Sequence, residues 1–325
     1  MSELLLLSRA DVARLMDYPA YVMAVETGLR AAAVDKALAP PAAGFAVPGG
    51  SYHAKGAAIL GDAVAIKLNA NYPGNPTSNG LPTVQGVIYL AEATTGRPLA
   101  LMDSIEITIN RTGAATTIAA RHLAKPDSKV ATICGAGVQG RIQARAIVEA
   151  LNLEKIHVWD IRPDAARSLA EDLARDLRIR AEATSELDTT LESDVIVTCT
   201  SSRQAYLTPE LVRPGTFIAA VGADNDDKQE IDPRLFPCAT VVVDSLEQCA
   251  TIGDLHHALK AGTARSERVH ATLAELVVGG KAGRLTADEI TLFDSTGMGL
   301  QDVASAIAVY RRALASAAGT SFTIN

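Results

Sequence analysis

Aromatic residues make up only 4% of this chain, while alanine is abundant. That balance suits an α/β enzyme with many helices. Cysteine is scarce too: Cys134, Cys199, Cys238 and Cys249 have no metal-type spacing, so no metal is expected. Cys134 and Cys199 sit inside apolar strand-like runs, where a thiol is expected to be buried and reduced, as in the cytoplasm. Basic residues are in deficit. Lys and Arg number 30 against 37 Asp and Glu, a formal net charge of -7, and no basic block occurs. This argues against a nucleic-acid surface. No apolar run is long enough to span a bilayer. Leu4–Leu7 is too short for a signal-peptide core and lacks a basic start. Internal repeats, low-complexity stretches, a Ser-His-Asp order and an H-E-x-x-H pattern are all missing. His256-His257 is not a metal motif, because adjacent helical residues do not face one ligand.

What is present turns on Val130–Asp160. Val130-Ala131-Thr132-Ile133-Cys134 is a short apolar run with β-branched residues, and Gly135-Ala136-Gly137-Val138-Gln139-Gly140 follows at once. A helical pattern then runs from Arg141 to Leu151, ahead of a second strand-like run, Ile156–Asp160. Gly135 permits the tight turn, Gly137 the approach of a pyrophosphate, and Gly140 close packing of helix on strand. The free N–H groups at the helix start, around Val138 and Gln139, favour phosphate. Asp160 lies about 20 residues beyond Gly140, where an acid grips the adenosine ribose hydroxyls. Because Asp160 would repel a 2′-phosphate, NAD is favoured over NADP, while Arg162 keeps NADP possible.

At 325 residues the chain has room for two domains. Residues 1–36 read as a strand and then helix, with Ser8-Arg9-Ala10-Asp11 resembling a capping box. A second helical pattern covers Pro19–Lys36, and Leu38–Gly50 reads as loop or edge strand. From Ser51 to Asp103 the pattern becomes short strands, Ala63–Lys67, Val84–Ala91 and Arg97–Asp103, as in an antiparallel meander. Ile105–Leu123 reads as a long helix bridging the domains. Beyond it, strands and helices alternate: Val130–Cys134, Ile156–Asp160, Ile179–Ala183, Asp194–Thr200, Thr216–Val221 and Thr240–Asp244. That rhythm predicts a mostly parallel, doubly wound sheet. Helical patterns return near Leu246–Ala261, Thr272–Gly279 and Gln301–Ala317, the last expected to pack back on the first domain.

Several residues are candidates for chemistry. Lys67, at the end of an apolar strand, reads as a solvated edge charge or a functional cation. Arg111, among small residues on an apolar helix, needs an anionic partner. A substrate carboxylate, a cofactor phosphate or an internal acid would serve. Thr198, Thr200 and Ser201 follow a strand of the nucleotide domain, where hydroxyls face the cofactor crevice or make an ordinary turn. Val221-Gly222-Ala223-Asp224 follows the next strand. Asp224 at the crevice mouth suits binding a substrate amine or moving a proton, or else serves as a helix cap or turn residue. Asp226 and Asp227 read as solvated loop acids. His53 and Lys55 share one strand face, which reads as an ordinary solvated face.

Taken together, these residues carry a resemblance. Lys67, Pro73-Gly74-Asn75, Gly80-Leu81-Pro82-Thr83, Arg111-Thr112, Gly135-Ala136-Gly137, Gly222-Ala223-Asp224 with Lys228, and Phe293-Asp294-Ser295-Thr296-Gly297 occur in order. The chain resembles the ornithine cyclodeaminase/mu-crystallin family along almost its whole length. The resemblance implies a homodimer with a Rossmann domain, residues 119–311, inserted into a smaller α/β substrate-binding and dimerisation domain, residues 1–118 with 312–325. It implies that Lys67 and Arg111 hold the substrate carboxylate, that Thr83 and Thr112 touch cofactor or substrate, and that Asp224 is the acid/base. Ser295 and Gly297 would line the nicotinamide pocket. One departure stands out: family members often carry an arginine shortly after the Pro-Pro pair, and here Pro40-Pro41 is followed by Ala42-Ala43. Lys55 or His53 is then the candidate for that charge.

By this resemblance the chain is expected to be an NAD(P)-dependent oxidoreductase interconverting a small L-amino acid and its 2-imino or 2-oxo acid. The alternative is an ornithine or lysine cyclodeaminase, a lyase that uses NAD catalytically. Gln301 stands where cyclodeaminases tend to show an acid, which favours the oxidoreductase. A non-enzymatic binding protein is a third reading, and Lys67, Arg111 and Asp224 together argue against it.

Overall fold

The computed structural model describes residues 2–324. The chain forms two compact units. One combines the residues up to Ala114 with those from Met298 onward, and the other is Ala115–Gly297. The second is therefore an insertion in the first.

In the first unit, β1 (Ser2–Leu7) leads to α1 (Arg9–Leu15) and α2 (Tyr18–Ala32). Ser8 and Asp11 form a capping box: Asp11 N donates to Ser8 Oγ at 3.2 Å, and Ser8 N donates to Asp11 Oδ2 at 3.0 Å. Two free helix-end donors are thereby satisfied. Asp17 caps α2, accepting from Ala20 N at 3.1 Å, with Pro19 in the first turn. There follow β2 (Ala37–Leu38), β3 (Ala43–Val47), β4 (Gly50–Ile59), β5 (Ala63–Asn71), α3 (Asn75–Ser78), β6 (Val84–Glu92) and β7 (Pro98–Asp103), then α4 (Ile105–Leu123). The expected meander is present, but β5 extends to Asn71, so Lys67 sits mid-strand and not at a strand end. The stretch 38–50 resolves into edge strands, as β2 and β3 both pair antiparallel with β4.

The second unit runs through β8 (Val130–Cys134), α5 (Val138–Ala150), β9 (Lys155–Trp159), α6 (Pro163–Leu177), β10 (Arg180–Thr184), β11 (Val195–Thr198) and β12 (Arg203–Leu207). It continues through β13 (Phe217–Ala220), β14 (Gln229–Ile231), β15 (Ala239–Val243), α7 (Leu246–Ile252), α8 (Asp254–Lys260), β16 (Ala271–Thr272), α9 (Leu273–Val277) and β17 (Ile290–Asp294). The chain then re-enters the first unit as α10 (Gly299–Ser316) and β18 (Thr320–Ile324).

The first unit's sheet has the order β18-β1-β7-β6-β5-β4-β2, with β3 beside β4. Every pairing in it is antiparallel except β1 with β7. Helix α10 packs over β4, β5 and β6 and against α2. The return to the first unit therefore comes at Met298, earlier than the expected residue 312, because the whole of α10 belongs to this packing. The second unit's main sheet is fully parallel, order β10-β9-β8-β11-β13-β17-β15-β16, with β12 and β14 in a small sheet of their own. The order reverses between β8 and β11, which in an open α/β sheet is where ligands bind, beyond the strands' C-terminal ends. Its core includes Ile196, Ile218, Val243 and Leu292, all buried. Burying each such aliphatic side chain contributes about 1.5–3 kcal/mol.

Two expectations change here. The helical run Leu246–Ala261 is two helices, broken at Gly253. Strand β17 was not expected from the pattern, yet it fills the sheet between β13 and β15.

Candidate active site

In the first unit, cross-strand register places Lys55 opposite Lys67, Lys67 opposite Ile88, and His53 opposite Asn69. Directly paired residues share a sheet face, and α10 covers this sheet. Lys67 is only 4% exposed and Arg111, on α4, only 5%. Two cations this deep need an anion, and α10 supplies it. Asp302 Oδ2 lies 2.6 Å from Lys67 Nζ, and its Oδ1 accepts from Arg111 Nε at 2.9 Å. Gln301 Oε1 accepts from Arg111 Nη1 at 2.9 Å, and Lys67 Nζ also donates to Thr108 Oγ1 at 3.4 Å.

A close approach makes this possible. A Cβ on Gly299 would stand 2.6 Å from Gly56 O, so only glycine lets the start of α10 settle on β4. Burial pushes the Lys67 ammonium down to about 7, against the pull of Asp302, and Arg111 and Lys55 push the same way. Burial also opposes ionisation of Asp302, but Arg111 and Lys67 outweigh it and hold this carboxyl below its usual range. The result is an ionised carboxylate between a permanent guanidinium and a lysine poised to hold or release its proton near neutrality.

The other first-unit candidates are less buried than this pair. His53 is exposed and exchanges a hydrogen bond with Ser51 at 2.9 Å. Lys55 is half-buried beside Lys67. Thr83, also half-buried, accepts at its carbonyl from Tyr72 N at 2.7 Å. Thr112 turns its hydroxyl back to Thr108 O at 2.7 Å.

In the second unit, the glycine turn has the expected form. Gly135 has φ +114, and a Cβ on Gly140 would stand 2.0 Å from Gly135 O. A Cβ on Gly137 would meet nothing within 4 Å, so the turn is open on the side a phosphate would approach. Gly137 caps α5 without a side-chain bond, and Val138 is exposed. Asp160 Oδ2 accepts from Ala136 N at 2.8 Å and Oδ1 from Arg162 N at 2.8 Å. The same carboxylate that would meet the ribose thus braces the turn. Ile161, 84% exposed, follows it. An open glycine turn, uncapped helix N–H groups and an acid at the second strand's end fit a dinucleotide.

The hydroxyls beyond β11 are placed differently from expectation. Thr198 is buried, and Thr200 is committed inward: its N and Oγ1 both donate to Glu230 Oε1 at 2.6 Å. Ser201 is exposed. Glu230 also accepts from Tyr206 OH at 2.9 Å and, through Oε2, from Gly222 N at 2.9 Å. One buried carboxylate therefore clamps the loops that follow β11 and β13. Val221 N donates to Thr198 O at 2.9 Å. Asp224 is largely exposed and pairs with Lys228 at 2.6 Å.

Ser295 and Gly297 wrap a second buried acid. Asp244 Oδ2 accepts from Ser295 Oγ at 3.0 Å and from Gly297 N at 2.7 Å. Burial raises the carboxyls of Glu230 and Asp254 and pushes Asp294 up to about 7. No metal-binding cluster of His, Cys, Asp or Glu occurs among the described residues. Sequence reasoning missed Asp302, Glu230 and Asp244. The signal was there: Asp302 interrupts the apolar run Leu300, Val303, Ala304, Ala306, Ile307.

The chain is similar over its length to several known proteins. Alanine dehydrogenase of Archaeoglobus fulgidus is 38% identical over 321 residues, 98% of each chain. The structure of an archaeal alanine dehydrogenase dimer with bound NAD matches with a TM-score of 0.95 at 37% identity, over 99% of this chain and all of that one. Thermococcus litoralis Δ1-pyrroline-2-carboxylate reductase, in complex with NADH and L-proline, matches with a TM-score of 0.93 at 36% identity, over 98% and 99% of the two chains. Residues 2–317 match one family description throughout. The chain belongs to the ornithine cyclodeaminase/mu-crystallin family.

Proposed function

We propose that this chain is an NAD-dependent oxidoreductase that interconverts a small L-amino acid and its 2-imino or 2-oxo acid. The observation that carries the reading is the buried pair Lys67–Arg111, two cations against a single protein carboxylate, Asp302. A substrate carboxylate is the natural complement, taken by the planar guanidinium fork and the ammonium together. Lys55, beside Lys67, is the proposed substitute for the missing arginine, and half-buried Thr83 a further substrate contact. His53 is the outer member of that face.

The glycine turn Gly135-Ala136-Gly137, with Val138 and Gln139, would hold the pyrophosphate, and Asp160 the ribose hydroxyls. Ile161 and Arg162, which follow Asp160, would border the ribose end of that site. NAD, when bound, supplies the hydride acceptor or donor. Reduction then places a hydride on the α-carbon and a proton on nitrogen, and oxidation reverses both. Asp224 is the proposed carrier of that proton. Thr198, Thr200, Ser201, Val221, Gly222, Ser295 and Gly297 are proposed to shape the cofactor crevice of the second unit, Thr200 through backbone position, since Glu230 takes its hydroxyl. The cyclodeaminase reading needs an acid available to a second substrate amine. Asp302 is occupied by two cations, and Asp62 bonds Arg311 at 2.8 Å.

We also propose a homodimer. Ile66 and Leu68 on β5 and Val87 on β6 are exposed neighbours on the outer sheet face. A contiguous apolar patch of this kind suits a partner surface. The free state of all four cysteines supports a cytoplasmic setting, and no helix among the described residues is long and apolar enough to cross a membrane.

The deciding experiment follows NADH absorbance with purified protein. One set of reactions holds NADH, ammonia and pyruvate, glyoxylate, oxaloacetate or a cyclic imine. The other holds NAD and ornithine, with free ammonia assayed. Net NADH consumption in the first set is expected. Ammonia release from ornithine without net NADH change would overturn the reading in favour of a cyclodeaminase.

A further inference from the structure

The first unit's cation pair is held by more than one residue of α10, and the two act on different edges of Arg111. Asp302 takes Nε and Gln301 takes Nη1, each at 2.9 Å. Arg111 Nη2 has no bond to a described residue. Gln301 is itself only 1% exposed, and its Nε2 has no hydrogen-bond partner among the described residues. A buried amide N–H without an acceptor carries a desolvation penalty, so this donor calls for an acceptor from a ligand. The charged groups around this point are Lys55 on β4, Lys67 on β5, Arg111 on α4 and Asp302 on α10. Strand β6 contributes apolar Ile88.

We propose that Asp302 and Gln301 are positioning residues for the substrate carboxylate, turning the Arg111 Nη2 edge and the Lys67 ammonium toward one point and adding Gln301 Nε2 as a third donor. This rests on the reading of Lys67 and Arg111 as the carboxylate anchor. With Lys67 protonated, two cations against one acid leave a single net positive charge in the triad, which matches one carboxylate. Without Asp302 the two cations would repel one another, and Arg111 would lose the bond that sets its plane. The neutrality of Gln301 matters for the same reason. An acid there would cancel the remaining charge and replace the unpartnered N–H with a second acceptor.

The test measures pyruvate binding to the NADH-loaded protein by calorimetry, with NADH affinity and the pH profile of kcat/KM read alongside. In Asp302→Asn, pyruvate binding should weaken about tenfold or more, as when one partner of a buried charge pair is removed. NADH affinity should stay unchanged. The alkaline limb of kcat/KM should move to lower pH, because Lys67 loses its counter-ion, and Asp302→Glu should recover part of the loss. A merely structural role would move NADH affinity and leave the pH limb in place. Should Asp302→Asn fail to fold, Gln301→Glu is the second variant: pyruvate binding should weaken with NADH affinity unaffected, while the alkaline limb moves to higher pH because the added carboxylate favours protonated Lys67. Wild-type pyruvate affinity in either folded variant would overturn the proposal alone. If wild-type protein bound NADH but no pyruvate, glyoxylate or L-proline, the carboxylate-anchor reading would fall, and this proposal with it.

Discussion

Replacing Asp160 with serine tests the nucleotide site at its most specific residue. The carboxylate accepts from Ala136 N and Arg162 N, both at 2.8 Å. Hydrogen bonds to a charged group are worth about 1.5–3 kcal/mol each. Serine removes the charge and one acceptor, so contact with the ribose hydroxyls weakens by about that amount. At about 1.4 kcal/mol per factor of ten, the KM for NADH should rise roughly 10- to 100-fold. The 2′-phosphate of NADPH gains in the same substitution. A dianion about 5 Å from a carboxylate, at an effective dielectric near 40, is repelled by about 3 kcal/mol, which mobile salt reduces. Arg162 remains to meet it. The ratio of kcat/KM for NADH over NADPH should therefore fall by about 100-fold or more. Both cofactors would be titrated against one saturating imine. Loss of the brace on Ala136 should also lower NADPH turnover slightly, which the ratio cancels. A ratio unchanged within about threefold, equivalent to under 1 kcal/mol, would refute the placement of Asp160 on the ribose.

Other perturbations probe separate parts of the molecule. Gly140→Ala drives a methyl group to within 2.0 Å of Gly135 O, so overpacking of about 1–3 kcal/mol should lower the melting temperature by several degrees and weaken NADH binding. Unchanged melting and binding would show that the close approach is not needed. Asp224→Ala should lower kcat by about 10²- to 10⁴-fold, the usual worth of a placed proton carrier, with NADH dissociation little altered; near-wild-type turnover would sink the acid/base role. Leu68→Glu, on the exposed apolar face, should turn a dimer into a monomer by light scattering, and a persisting dimer would place the interface elsewhere. Pyruvate affinity should decline as pH rises through about 7, where Lys67 loses its proton. Stability responds with the opposite sign. The unfolded chain keeps this lysine protonated to its ordinary value of 10.5, so between about 7 and 10.5 the unfolded state binds more protons and Lys67's contribution to stability grows with pH. Denaturant titrations of wild type and Lys67→Met across that range should show the rise in the first and not in the second.

The parts that were legible in the sequence are those with local causes. The glycine turn, Asp160 and the capping box of α1 each depend on residues within one supersecondary unit, and α4 spans Ile105–Leu123 as its periodicity required. Lys67 looked like a strand end because Asn69 breaks the apolar pattern. The strand continues there because this face meets polar partners: Ser104 Oγ donates to Asn69 Oδ1 at 2.7 Å. Arg111 was seen to need an anion, but its partner lies 191 residues further on, beyond the reach of any periodicity. Glu230 was invisible for a related reason. Its four donors come from Thr200, Tyr206 and Gly222, which only the parallel sheet brings together.

The insertion of one unit within the other also orders events on the ribosome. Residues 115–297 form a compact unit, whose sheet can close as soon as β17 emerges, since domains generally fold as units during synthesis. The proposed carboxylate anchor is different. Lys67 and Arg111 leave the tunnel early and stay without their counter-ion until α10 follows, a contact of very high sequence separation and therefore slow to form. Two cations without a counter-ion are costly to bury, so the packing around Lys67 and Arg111 should close only once α10 has been made. A chain cut short before Gln301 would then carry a nucleotide unit with no means of fixing a substrate, sequestering cofactor without turning it over.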